Sequence, residues 1–163
     1  MQNRWLVVLA LGCAFATSAS AQVARAPYGS AYPHFGLQAS VGENVDIGLG
    51  VRYENRMLGM FPDYPDLRFA LSFDYFFPDN FDYWEVNANV FNLFSSVNAR
   101  VVPYLGGGLN VARFSTPGGR NTDVGINLLG GIRLPGRYRP FLEARIELGG
   151  GDRLVVSGGW LFW

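Results

Sequence analysis

The chain has no lysine; all 13 of its basic residues are arginine. A water-facing all-β protein covers its faces and sheet edges with Lys and Glu, so this absence argues against a solvated sheet surface. Charge of either sign is scarce, at 16% of residues, and it sums to zero. A neutral chain offers no net positive field to hold phosphates, which excludes nucleic acid as a partner. Cys13 is the single cysteine and His34 the single histidine. Neither an intrachain disulfide nor a Cys/His metal cluster is available, and no cofactor is expected. Beyond the first 21 residues no run approaches the ~18 apolar residues of a membrane helix. No amphipathic helix is visible either, which excludes a βαβ fold. One membrane architecture survives these absences, because a strand crosses a bilayer with only about 9–11 alternating residues.

What the chain does contain fits that survivor. It is 49% hydrophobic and carries 21 glycines, a composition suited to a lipid-facing sheet. At 163 residues it is one domain by length. Residues 1–21 read as a cleaved signal peptide: Arg4 gives the basic start, 5–16 the apolar core, and Ala19-Ser20-Ala21 the small-residue cleavage site. The apolar core is too short for a transmembrane anchor. Lipoprotein processing before Cys13 is the weaker alternative, since the apolar run continues past it. Residues 22–33 form an exposed Pro/Gly/Ala lead-in, and 34–163 the folded domain.

In that domain apolar and polar residues alternate with period two, the strand signature. Eight such stretches are predicted, over 34–41, 44–53, 67–76, 84–94, 100–113, 123–134, 139–148 and from 153 onward. The links at 54–66, 77–83, 95–99, 115–122 and 149–152 carry Pro, Gly, Asp or Asn. Asn92 interrupts the apolar parity of its strand, which predicts a strand end or a bulge there. Gly106 to Gly108, three glycines inside a strand, imply a bent wall or close approach of a neighbour's side chain. The expected fold is an all-β, eight-stranded antiparallel up-and-down transmembrane β-barrel, with both termini on one side.

Alternation does not say which parity faces in. A soluble lipocalin-like barrel, secreted or periplasmic, would turn the apolar parity inward around a greasy ligand. Three features favour the reverse. The polar parity is thin for a solvated surface and is padded with Gly, Ala, Ser and Asn. The apolar parity gathers aromatics near strand ends, at Phe35, Tyr53, Tyr75, Trp84, Trp160 and Phe162, as a membrane girdle does. The export signal and a cysteine-free mature chain suit a route through the periplasm. The polar parity then lines the lumen with a charge network: Asp46, Arg52, Arg68, Asp74, Glu85, Arg100, Arg133, Glu143, Arg145, Glu147 and Arg153. Buried charges must pair. A side-chain plug is favoured over a gated ion path, because eight strands enclose a space that side chains just fill. If the termini are periplasmic, Arg52, Arg68, Arg100 and Arg133 gather at that end and Asp74 and Glu85 at the outer end. Arg145, between Glu143 and Glu147, is then the central tie.

On VPYLGGGLNVA (102–112), LSFDYFFP (71–78), GINLLGGIRL (125–134), RPFLEARIEL (139–148) and the aromatic final strand, the chain resembles the small outer-membrane β-barrel domain family, the OmpA/OmpX-type eight-stranded barrels of Gram-negative envelopes. The resemblance covers the whole mature chain as a pattern. It implies location in the cell outer membrane, in contact with outer-membrane lipid and lipopolysaccharide. It also implies that the barrel-assembly machinery reads the terminal aromatic during biogenesis; here Trp163 stands where Phe is usual. A monomer is expected. In the family the outer loops are long and the periplasmic turns short, whereas here the first hairpin turn is minimal and the 54–66 link is long. Some family members are enzymes acting on lipid A through His, Ser and an acid. His34, at the mouth of the first strand, has no positioned partner in the sequence and reads as an exposed or interfacial residue, so no enzyme is expected. The glycine runs at 106–108 and 149–151 are not phosphate loops, because no helix follows them.

Overall fold

The computed structural model describes residues 33–162 except 44, 58–59, 80, 96–98, 117 and 150–151. The signal segment, all but the last residue of the lead-in, and Trp163 lie outside the described residues. Eight strands follow in order: β1 (His34–Gly42), β2 (Asp46–Arg56), β3 (Leu67–Phe76), β4 (Asp82–Leu93), β5 (Val102–Thr116), β6 (Gly119–Arg133), β7 (Pro140–Leu148) and β8 (Arg153–Phe162). Each pairs antiparallel with its neighbours, and β1 pairs with β8 from Phe35↔Phe162 to Gly42↔Val155. The sheet is therefore a closed barrel with no free edge along that seam. Among the described residues no helix is long and apolar enough to cross a membrane.

The burial pattern settles the parity. On β1, Phe35, Leu37 and Val41 are more than half exposed, while His34, Gln38 and Ser40 are buried. The same alternation runs round the wall, with Leu49, Leu109 and Leu128 outward and Arg52, Asn110 and Asn127 inward. An apolar wall of this extent is not a water-facing surface. The lipocalin-like arrangement requires the opposite parity and is ruled out.

Several strand limits differ from the sequence-based expectation. β2 starts at Asp46, which sits at a positive φ of 57° in the turn, and it runs on to Arg56. β4 starts two residues early, at Asp82, and β5 two residues late, at Val102. The predicted 115–122 loop is instead the tip of the β5–β6 hairpin, paired from Arg113↔Thr122 to Thr116↔Gly119. That tip is polar on both faces, so no alternation marks it as strand. Pairing passes through Asn92 without a bulge, from Leu67↔Asn92 to Asn92↔Leu105. The glycine run makes room for neighbours: a Cβ at Gly106 would strike Phe91, and one at Gly108 would strike the Asn89 side chain.

The two ends of the barrel differ. At the end away from the termini the links are 43–45, 77–81, 117–118 and 149–152. At the terminus end they are 57–66, 94–101 and 134–139, each longer than any link at the far end. This is the reverse of the loop pattern implied by the family resemblance.

Candidate functional site

The site that this sequence builds is the filled lumen. Period-two alternation sends one parity of every strand inward, and there it places large polar side chains beside Gly, Ala and Ser. Gly50 shows why the small residues are needed, since a Cβ there would collide with the Asp74 carboxylate.

The inward charges form one alternating ladder. Arg133 donates through Nη2 to both Glu54 carboxylate oxygens, at 2.7 Å each. Glu54 also accepts from Arg52 Nε at 2.9 Å, and Arg52 Nη1 donates to Glu143 at 2.9 Å. Glu143 accepts from the Tyr104 hydroxyl at 3.1 Å and lies 3.8 Å from Arg145. Arg145 donates to Glu147 at 2.9 Å and to Glu85. Glu147 lies 3.1 Å from Arg153. Every ion in this ladder is at most 7% exposed, so water screens them little and their geometry matters. Neutral groups complete the set. Tyr83 and Asn87 donate to Glu85 at 2.9 and 3.0 Å, and Asn127 donates to Asn87 and Asn89. Asp74 is held apart from the ladder's hydrogen bonds by Gln38, Ser40 and Ser72, all donating to its carboxylate.

Apolar clusters lie toward both ends of the ladder. At the terminus end, Phe91, Leu93, Val102 and Tyr104 cluster with Ala70 and Leu129. At the far end Val45, Phe76, Tyr83, Ala112 and Val155 do the same, with Phe114 against them. Guanidinium groups stack on both clusters: Arg52 on Phe91 at 5.6 Å, Arg133 on Tyr104 at 5.8 Å, Arg153 on Tyr83 at 4.5 Å and on Phe114 at 5.3 Å. Such cation–π contacts suit a cation cut off from water.

Nine of the eleven charges assigned to the lumen lie buried in it: Arg52, Arg68, Asp74, Glu85, Arg133, Glu143, Arg145, Glu147 and Arg153. Two do not. Asp46 is exposed at the first residue of β2, beside the β1–β2 turn, and Arg100 is exposed in the β4–β5 link, before β5 begins. Arg100 was assigned by extending alternation into residues that are not strand, and Asp46 by extending it to a strand end whose positive φ of 57° takes it out of the pattern. Glu54, the hub between Arg52 and Arg133, was missed for the opposite reason. The polar parity of Arg52 continues through Glu54 and Arg56, but the Pro-rich link was expected to begin at 54. His34 is not exposed or interfacial as expected. It is fully buried, with its Nε2 against the Arg139 guanidinium.

All six aromatics of the expected girdle take the outward parity. Phe35 and Trp160 are more than half exposed, and Tyr53, Tyr75, Trp84 and Phe162 are half-buried. Phe35 packs on Tyr53 at the terminus end with ring centroids 5.1 Å apart. Tyr75 and Trp84 pair across the sheet toward the far end. Among the described residues no cluster of three or more His, Cys, Asp or Glu is arranged to hold a metal ion.

No family model matches the chain, and no curated protein matches it. Solved structures do. The chain is similar to the N-terminal β-barrel domain of Pseudomonas aeruginosa OprF, with a TM-score of 0.61 and 14% identity over 79% of this chain and 97% of that one. It is also similar to Neisserial surface protein A, with a TM-score of 0.52 and 17% identity over 79% of this chain and 91% of that one. At such identities the likeness is one of fold: the architecture is that of the small outer-membrane eight-stranded barrels.

Proposed function

We propose that the chain is an integral outer-membrane barrel of a Gram-negative-type envelope, non-enzymatic, that contributes to envelope integrity. The observation that carries this reading is the inside-out wall, with exposed leucines and aromatics around a buried Arg–Glu ladder. Such a wall is stable only in a solvent of acyl chains, and a closed barrel leaves no strand edge unpaired there. The filled lumen and its apolar end clusters favour a plug over a conducting path. The four tight links at the far end favour an envelope role over surface contact, since binding surfaces are ordinarily carried on long loops. With the termini periplasmic, that short-turned end faces outward. The wall contacts phospholipid and lipopolysaccharide, the barrel is a monomer, and its final aromatic strand, through Trp163, is the segment read by the assembly machinery.

The test is fractionation together with a variant in the wall. The protein should be recovered with membranes and released by detergent, and Leu128→Arg, at an outward position 53% exposed, should destabilise the inserted barrel by about 2–4 kcal/mol. Recovery from the soluble periplasmic fraction without detergent would sink the reading.

A further inference from the structure

The described residues of the links at the terminus end form a collar that presents apolar and basic side chains together. Described residues of the 57–66 link are tied by backbone bonds: Phe61 N to Met57 O at 2.8 Å, Tyr64 N to Phe61 O and Leu67 N to Tyr64 O at 3.1 Å each. Arg56 clamps it from below, donating from Nε and Nη2 to the Pro65 carbonyl at 3.1 and 2.8 Å. Asp66 ties it to the β4 end through Leu93 N and the Ser95 hydroxyl, both at 3.1 Å. Yet the tied residues hold Met60 at 74%, Phe61 at 43% and Tyr64 at 61% exposure. Ordered apolar groups held outward mark a contact surface.

The 134–139 link completes the collar. It is bonded to β8 through Leu161 N and Tyr138 O at 3.0 Å, and Tyr138 packs edge-on to Phe162 at 6.2 Å. Arg137 lies 5.8 Å over the Tyr138 ring and is exposed, as is Arg100 in the neighbouring 94–101 link. The acids described on this rim are Asp63 and Asp66, against Arg56, Arg100, Arg137 and Arg139. The far rim has the opposite balance, with exposed Glu43, Asp46, Asp79, Asp82 and Asp152 against Arg113 and Arg120. The collar is continuous with the apolar wall through Phe94, Val101 and Leu134, all exposed.

We infer that this collar is a docking surface for anionic phospholipid headgroups, with Met60, Phe61 and Tyr64 seated among the upper acyl chains and Arg100 and Arg137 on the phosphates. The inference rests on the membrane reading above. Continuity with the lipid wall selects lipid as the occupant, and the surplus of arginine selects anionic headgroups. Long arginine side chains reach from an apolar surface to a phosphate layer without leaving either. The collar would fix the depth and tilt of the barrel in the leaflet on its terminus side.

The test uses the full chain carrying Cys13→Ser, refolded into vesicles of phosphatidylcholine with or without a minority of phosphatidylglycerol. A bimane label is placed by Met60→Cys, with Leu128→Cys in the wall and Asp79→Cys in a far-end turn as references. Folding is checked by heat-modifiable gel mobility. Doxyl-labelled lipid should quench the label at 60 and at 128 but not at 79. Quenching at 60 should rise about threefold or more with phosphatidylglycerol. That gain should be lost in Arg100→Gln/Arg137→Gln while folding persists. If the label at 128 is quenched but the label at 60 responds only to aqueous iodide, the link stands in water and a periplasmic protein is the better occupant. If quenching at 60 is indifferent to phosphatidylglycerol and to the arginine variant, headgroup recognition is wrong. If the label at 128 is not quenched either, the membrane reading itself has failed.

Discussion

Toward the terminus end the lumen holds Arg52, Arg68 and Arg133 against Glu54 and Glu143; toward the far end it holds Arg145 and Arg153 against Asp74, Glu85 and Glu147. One half has a surplus of cation and the other a surplus of anion, and they meet where Glu143 faces Arg145 across 3.8 Å. The terminus half is redundant. Glu54 is shared by two arginines, Glu143 has a tyrosine as well as Arg52, and rings flank the guanidinium groups. The far half is less redundant, because Arg145 is shared among Glu85, Glu147 and Glu143 and is the one cation paired with Glu85 among the described ion pairs, while Glu147 has Arg153 besides. The difference teaches that sealing charge inside a barrel depends less on the number of ion pairs than on how many acids share one base.

Arg145→Ala is the substitution that should break this comparison most visibly. It leaves two glutamates of the far half facing one another without their shared cation, and should cost about 3–5 kcal/mol of resistance to unfolding in detergent. Glu85→Gln should restore part of the loss, because it removes a stranded carboxylate. Arg52→Ala should cost about half as much, since Glu54 keeps Arg133 and Glu143 keeps Tyr104. Equal losses for the two arginine variants would mean the halves are equivalent.

Glu54→Gln sharpens the terminus half. It weakens the contacts of Arg52 and Arg133 together, leaving them their aromatic neighbours and Glu143, and a loss of about 2–3 kcal/mol is expected in the same unfolding assay. An unchanged midpoint would show that the rings, not the carboxylate, hold these guanidinium groups.

The smallest effect is expected at Arg153→Gln. This residue sits at the far rim, 7% exposed, stacked on Tyr83 and Phe114. Glu147 keeps Arg145 at 2.9 Å, so a loss of about 1 kcal/mol is expected, mostly from the lost stacking. A loss as large as that of Arg145→Ala would place Arg153 inside the sealed zone.

How far this interior could be read from the sequence depended on where periodicity carried information. In mid-strand, alternation put Arg145 and Asn127 on one face and Leu128 on the other, and the thin polar parity, the aromatic girdle and the export signal chose which of the two faced in. At the rims that contrast fades. Asp46, at a positive φ on the first residue of β2, and Arg100, ahead of β5, took their lumen assignment from a pattern that does not reach them, and Glu54 was left out of one that does. The tip of the β5–β6 hairpin carries polar residues on both faces, so only its pairing reveals it as strand. Ladder partners were not legible at all. That Arg145 reaches Glu85 on β4, on the far side of the barrel from β7, depends on rotamers and on the glycines that make room for them. His34 pointed inward by parity, but its contact with Arg139 required knowing how the 134–139 link folds back.

The seam between β1 and β8 has a consequence for the time course of folding. Seven seams join strands that follow one another in sequence, so each can zip from its own turn. The eighth joins residues at opposite ends of the domain, Phe35 with Phe162, and can form only after the other seven have brought those ends together. Closing so long a loop is the slow, non-local step. Closure is therefore expected as the final event. A folding time course should show hairpin-level strand content well before the compact, heat-modifiable species appears. Lengthening the 57–66 link should slow the early phase and leave the last step as it was, because that link closes a local seam.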